Sequence, residues 1–128
     1  MKLEVGMYVR DYEGEIGIIE ELYHHDTYEH SVRYKYDSFL LKENDFVKAS
    51  YNIIDLIEVG DFVEYKQSNM YWNVPTRVSG RYNRQQELTE LMVGETPLKN
   101  VEITSVVTRE EFESRKYIVG EQYETTKI

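Results

Sequence analysis

The octapeptide Leu3-Glu4-Val5-Gly6-Met7-Tyr8-Val9-Arg10 returns 54 residues later as Ile57-Glu58-Val59-Gly60-Asp61-Phe62-Val63-Glu64. Glu, Val, Gly and Val recur at the same positions, an aromatic replaces an aromatic, and an aliphatic residue leads both copies. In each copy the Val-Gly pair opens a stretch where apolar and exposed positions alternate, as a half-buried strand requires. Glycine gives the backbone there the freedom to turn in tightly. A chain of 128 residues with one such opening near its start and another near its middle divides into two small modules. The expected fold is mainly β with minor α. Residues 1–50 form the first module and 51–128 the second, packed together as one compact unit.

The pattern Val-Gly-x-x-Val, followed soon by another strand, resembles the opening of an SH3-like or KOW-like small barrel. The rest of the chain supplies strands for two of them. After the turn Asp11-Tyr12-Glu13-Gly14, a strand over 15–22 offers Ile16, Ile18 or Ile19, and Leu22 to a core. Ser31 to Tyr36 alternates as a further strand, and Phe39-Leu40-Leu41 and Phe46-Val47 add apolar anchors. Asn52 is placed to cap one helical turn before Leu56, at the junction between modules. In the second module, strands are expected at 62–65, 71–74, on both sides of Gly80, and at 101–107. Pro75 marks an edge or an end, because it has no amide to donate, and 94–100 reads as a loop. Thr108 and Glu111 form a capping box ahead of a short helix, 109–115, with Phe112 turned to the body. Tyr117-Ile118-Val119 reads as a last strand, stopped by Gly120.

Composition removes several classes of function. With 24 Asp and Glu against 15 Lys and Arg, the net charge is −9, unsuited to duplex DNA, whose phosphates demand a basic surface. The 41% hydrophobic content and twelve tyrosines are too much for an acidic disordered tail. Without cysteine there is no disulfide framework, thiolate nucleophile or Cys-ligated metal. Neither a membrane-length apolar run nor a signal peptide is evident, so a soluble, cytoplasmic protein is expected. No phosphate-binding glycine loop, nucleophile elbow or His-Glu-x-x-His helix is present, so an enzyme is not expected.

Three groups of residues carry possible chemistry. All three histidines fall within the seven residues 24–30, His24, His25 and His30. With Asp26 and Glu29 they make a possible shell for Zn²⁺ or another divalent ion, if the segment is a hairpin turn. A solvated polar loop is the competing reading, since the spacing matches no zinc motif. The second group is the carboxylates Glu13, Glu15, Glu20 and Glu21, joined in the second module by Asp55, Glu58, Asp61 and Glu64 at every third position. Such a face imitates the charge spacing of a nucleic-acid backbone and suits a basic groove on a partner, reached by electrostatic steering. A solubilising coat is the alternative. The third group, Arg77, Arg81 and Arg84 with Tyr71, Trp72 and Tyr82, has the residue types enriched at interfaces and on single-strand stacking platforms. Given the overall charge, a protein interface is favoured there.

Ala49-Ser50-Tyr51-Asn52-Ile53-Ile54-Asp55-Leu56-Ile57-Glu58-Val59-Gly60-Asp61-Phe62-Val63 is similar to a block found in small proteins of Firmicutes bacteria, their phages and prophages. The segment Ile103 to Phe112 with Tyr117-Ile118-Val119, and the opening Val5 to Arg10, resemble the same family. Together they cover about a third of the chain. The resemblance brings no catalytic residues, and it places function in the unmatched segments. It implies a phage-encoded binding protein that blocks a host protein, as anti-CRISPR proteins do. The partner would be a CRISPR effector nuclease or another basic nucleic-acid-binding protein. An SH3-like structural, virion or housekeeping module, and a small His-metal enzyme, are the alternatives.

Overall fold

A computed structural model describes residues 2–23, 30–34, 37–116 and 119. Two five-stranded antiparallel sheets account for most of them. The first contains β1 (Tyr8–Asp11), β2 (Ile16–Leu22), β3 (His30–Arg33), β4 (Ser38–Leu41) and β5 (Phe46–Ser50). The second contains β6 (Phe62–Gln67), β7 (Met70–Tyr82), β8 (Leu88–Val93), β9 (Thr96–Pro97) and β10 (Glu102–Val107). One helix, α1 (Arg109–Arg115), follows.

Both sheets follow one plan. Four strands run as a meander, a 3-10 turn follows (Glu43–Asp45, then Leu98–Asn100), and the fifth strand returns to pair with the first. The strand orders are therefore β4-β3-β2-β1-β5 and β10-β6-β7-β8-β9. The outermost strands of each sheet are not paired with each other among the described residues, so both sheets are open.

The sequence repeat is also a structural repeat. Gly6 and Gly60 adopt φ of +92° and +97°, a region that side chains with a Cβ avoid. The Gly6 amide donates to the Ile19 carbonyl, and the Ile19 amide donates to the Met7 carbonyl. Gly60 and Val78 repeat this exchange, with Asp61 in the place of Met7. The strands then insert Val9 and Val63 into separate cores. Leu3, Val9, Ile19, Val32 and Phe46 fill the first core. Ile57, Val63, Tyr65, Val78, Val93, Leu98 and Val101 fill the second.

A buried polar network joins the modules. Arg10 on β1 reaches across to Asp61, with its two terminal nitrogens 2.6 and 3.0 Å from the carboxylate oxygens. It also donates to the Leu56 carbonyl (2.9 Å) and to Glu110 on α1 (2.8 Å). Asp61 accepts in addition from the amides of Glu58 (2.7 Å) and Arg109 (2.9 Å). Burial opposes the charge on Arg10, but the hydrogen bond and charge of Asp61, aided by Glu58 and Glu110, outweigh it and raise its pKa. Thr108 adds a second tie, since its hydroxyl donates to the Gly14 carbonyl at 2.7 Å.

Local expectations met different outcomes. Asn52 caps a 3-10 turn at Ile53–Leu56 through the Ile54 amide. The Thr108 hydroxyl accepts from the Glu111 amide as the capping box expects; it donates to the Gly14 carbonyl at 2.7 Å, and the Glu111 carboxylate lies 3.3 Å from the same hydroxyl. Phe112 lies on Phe62, with ring centroids 4.5 Å apart. Of the two expectations for Pro75, the edge holds and the end does not: β7 runs through it, in the part of the strand that β8 does not pair. The pairing with β6 jumps from Thr76 to Trp72 there, and the residues between oppose only Glu64, so proline's missing amide breaks no ladder. The segment expected as a loop at 94–100 contains β9 and a 3-10 turn. Of the expected strand at 117–119, only Val119 is among the described residues, and it lies in a turn.

Candidate functional site

The β1–β2 turn builds one wall of a groove between the modules. Asp11 holds the turn, its carboxylate accepting from the amides of Glu13 and Glu15, both at 2.9 Å. The side chains of Glu13 and Glu15 stand outward from it. Across the groove are Val106 and Val107 of β10, with Glu111 and Arg115 of α1. Ile16, Tyr34 and Phe39 contribute apolar surface, and the exposed Asp37 adds a third carboxylate. The volume is about 510 Å³. A second hollow of about 370 Å³ shares Glu13, Glu15, Tyr34 and Phe39, and extends the groove to Tyr12, Leu41 and Asp45.

The electrostatics of this groove are one-sided. Glu13, Glu15 and Asp37 have no ion-pair partner among the described residues, and Arg115 is already engaged by Glu111 at 3.4 Å. Tyr34 donates its hydroxyl to Asp11 at 3.2 Å, and burial together with the Asp11 charge pushes its pKa up, so it remains a donor. Burial also raises the pKa of Glu15, and the charges of Asp11, Glu111 and Glu13 raise it further. A carboxyl with a raised folded-state pKa favours its protonated form, so it weakens the fold as pH rises through that pKa. Glu15→Gln is therefore expected to stabilise the protein at about pH 7 by a few tenths of a kcal/mol, a figure kept small by solvent screening. At about pH 3, where Glu15 is protonated folded or unfolded, the gain vanishes. Paired thermal melts at the two pH values check both the sign and its loss.

The acidic face read from the sequence does not hold together as one surface. Glu20 and Glu21 lie at the far end of β2, about 17 Å along the strand from Glu15. Glu20 pairs with Arg33, and Glu21 accepts from the Tyr23 hydroxyl. The acids at every third position in the second module are also dispersed, because they sit on different kinds of backbone. Asp55 accepts from Ser50, Glu58 pairs with Lys48 and Arg109, and Asp61 is fully buried on Arg10.

Residues 71–84 form a second exposed surface. The β6–β7 hairpin turns at Ser68-Asn69, and β8 pairs with β7 only from Val78 onward. Among the described residues the outer half of β7 therefore has a neighbour on one edge alone, and it exposes Met70 (62%), Tyr71 (60%), Trp72 and Val74. Lys66 sits over the Tyr71 ring at 5.2 Å, and Trp72 stacks on Tyr65. Strand alternation puts Tyr71, Arg77 and Arg81 on one face of β7 and Trp72 and Tyr82 on the other, while Arg84 lies in the following turn. The three arginines have no ion-pair partner among the described residues. They and the aromatics form two half-surfaces along a 13-residue strand, not a single platform. A third hollow, of about 570 Å³ beside the Phe62–Phe112 pair, carries Arg77, Arg109, Glu110 and Glu113 and so presents both signs of charge.

Of the histidine group, His30 is buried on β3, its Nδ1 3.3 Å from the Leu41 carbonyl and its ring edge-on to Phe46. His24, His25, Asp26 and Glu29 lie outside the described residues. Among the described residues no three His, Asp or Glu side chains are grouped to hold a metal ion. No described helix is long and apolar enough to cross a membrane.

The groove residues that the sequence did not single out are Tyr34, Asp37, Phe39, Glu111 and Arg115. Phe39 and Leu40, expected as apolar anchors, are instead exposed, whereas Phe46 is buried as expected. Comparison of the chain with known proteins finds no matching family model, no matching curated protein and no matching solved structure.

Proposed function

We propose that this chain is a non-enzymatic binding protein. Two SH3-like modules are fixed to each other, and their shared acidic surface holds a basic, nucleic-acid-handling protein in the manner of an anti-CRISPR inhibitor. The observation that carries this reading is the set Glu13, Glu15 and Asp37. None has an ion-pair partner among the described residues; Glu13 and Glu15 sit on a turn held by the Asp11 carboxylate, and the charges of Asp11, Glu111 and Glu13 crowd Glu15. Crowded like charges cost stability, and an opposite charge from a partner relieves that cost. The SH3-like reading rests on the shared plan of meander, 3-10 turn and returning strand. The phage and CRISPR-effector context rests on the family resemblance in the sequence, and the absence of catalytic motifs supports the non-enzymatic part.

Capture from a bacterial host lysate at low salt tests this function. A CRISPR effector nuclease or another nucleic-acid enzyme is expected to be enriched, and to be released as ionic strength rises through the physiological range. Enrichment of no such protein would sink the inhibitor reading. The open, aromatic outer half of β7 favours one second reading, an SH3-like structural or virion module that associates through that edge. In that case capture would survive high salt and fail on Trp72→Ala.

A further inference from the structure

We propose that the partner contributes an extended segment bearing arginine or lysine, and that this segment lies in the groove between the two modules. The inference rests on the proposed function and reverses the expected shape of the contact. The carboxylates Glu13 and Glu15 do not stand on a ridge that enters a basic groove. They line a concavity, so the partner supplies the protrusion.

Two independent features define what fits. The first is charge, three carboxylates without a cation among the described residues. The second is the apolar surface beneath them. Phe39 on β4 is 51% exposed although it lies opposite Val32, which is fully buried, and it projects to the same side of the sheet. Its ring is tilted against that of Tyr34, at 5.9 Å between centroids. An inorganic cation makes no use of such a surface. Arginine and lysine do, because their aliphatic stems cover apolar atoms while the charged head remains at the rim, and a guanidinium also lies favourably on an aromatic face. The two hollows adjoin along Glu13, Glu15, Tyr34 and Phe39, and together they offer room for more than one side chain of an extended segment. In an extended chain alternate side chains point one way, so a basic residue at every second position presents its charges to one wall.

The test uses ¹⁵N-labelled full-length protein and a nine-residue peptide alternating arginine and valine between terminal glycines, with a glutamine-for-arginine peptide as control. The arginine peptide is expected to saturate below about 1 mM, a weak affinity typical of an isolated segment. Its amide shifts should concentrate at 13–16, Phe39 and 106–107. Glu13→Lys with Glu15→Lys is expected to weaken it at least about tenfold, in a spectrum otherwise unchanged, and Phe39→Ala to weaken it about fivefold. Shifts that are absent, that map to Glu20 and Glu21, or that appear equally with the glutamine peptide would overturn the proposal. The function stands or falls separately. Peptide binding without any captured host nucleic-acid enzyme ends the inhibitor reading alone, and capture undiminished by the two lysine substitutions ends the groove assignment alone.

Discussion

Arg10→Met is expected to destabilise the protein by about 3–5 kcal/mol, the cost of leaving a buried carboxylate without its cation. The side chain is 2% exposed and Asp61 is fully buried, so water cannot replace the lost partner. The substitution keeps the length of the stem and removes only the charge and the donors. Four acceptors lose a donor at once: both Asp61 oxygens, the Leu56 carbonyl and Glu110. Asp61→Asn should be costly as well, since Asp61 also receives the Glu58 and Arg109 amides. The double variant is expected to cost less than the sum of the two by more than about 1 kcal/mol, because the second change removes a charge that the first had orphaned. Urea denaturation of the four proteins measures this coupling. Strict additivity would mean that the pair does not join the modules energetically.

The second large effect is expected at Gly14, where Gly14→Ala should cost about 2–3 kcal/mol. Its φ of +84° alone makes a side chain unfavourable by about 1–2 kcal/mol. The added Cβ would also lie 2.6 Å from the Thr108 hydroxyl and 2.7 Å from the Glu110 Cβ. Relief requires α1 to withdraw from the β1–β2 turn. That movement breaks the Thr108 bond to the Gly14 carbonyl, worth about 1 kcal/mol. The two walls of the groove belong to different modules, so the same withdrawal should weaken partner capture although no charge changes. Hydrogen exchange at the α1 amides, combined with urea denaturation, measures both parts. Wild-type protection and stability in Gly14→Ala would contradict this account of the junction.

How much of this was legible in the sequence depends on the range of the interaction. The repeated Val-Gly openings, the Asn52 cap and the helix after Thr108 are set by neighbours a few residues away, and they appear where the local pattern predicts. The network between the modules was not legible. Asp61 read as one of a row of surface acids and Arg10 only as the last residue of the repeat, because nothing local reveals a partner 51 residues away. A signal was nevertheless present in the repeat. Its two non-conservative mismatches are Met7 against Asp61 and Arg10 against Glu64, and Arg10 and Asp61 are the residues that pair. Here the two modules differ where they touch. The candidate groove was half visible. Glu13 and Glu15 stood out by charge, but Glu20 and Glu21 were grouped with them by sequence proximity, and strand β2 carries them to its other end. The opposite wall comes from 106–115, a distance in sequence that no spacing argument spans.

The most direct measurement compares two variants that carry the same change in charge at different places. One reverses Glu13 and Glu15 to lysine, and the other reverses Glu20 and Glu21. If the groove between the modules is the functional surface, the first variant loses capture of the proposed nucleic-acid-handling partner by about tenfold or more and the second changes it by less than about twofold. Equal losses would show that only the overall charge matters, and retention by the first variant would show that the groove is not the binding site.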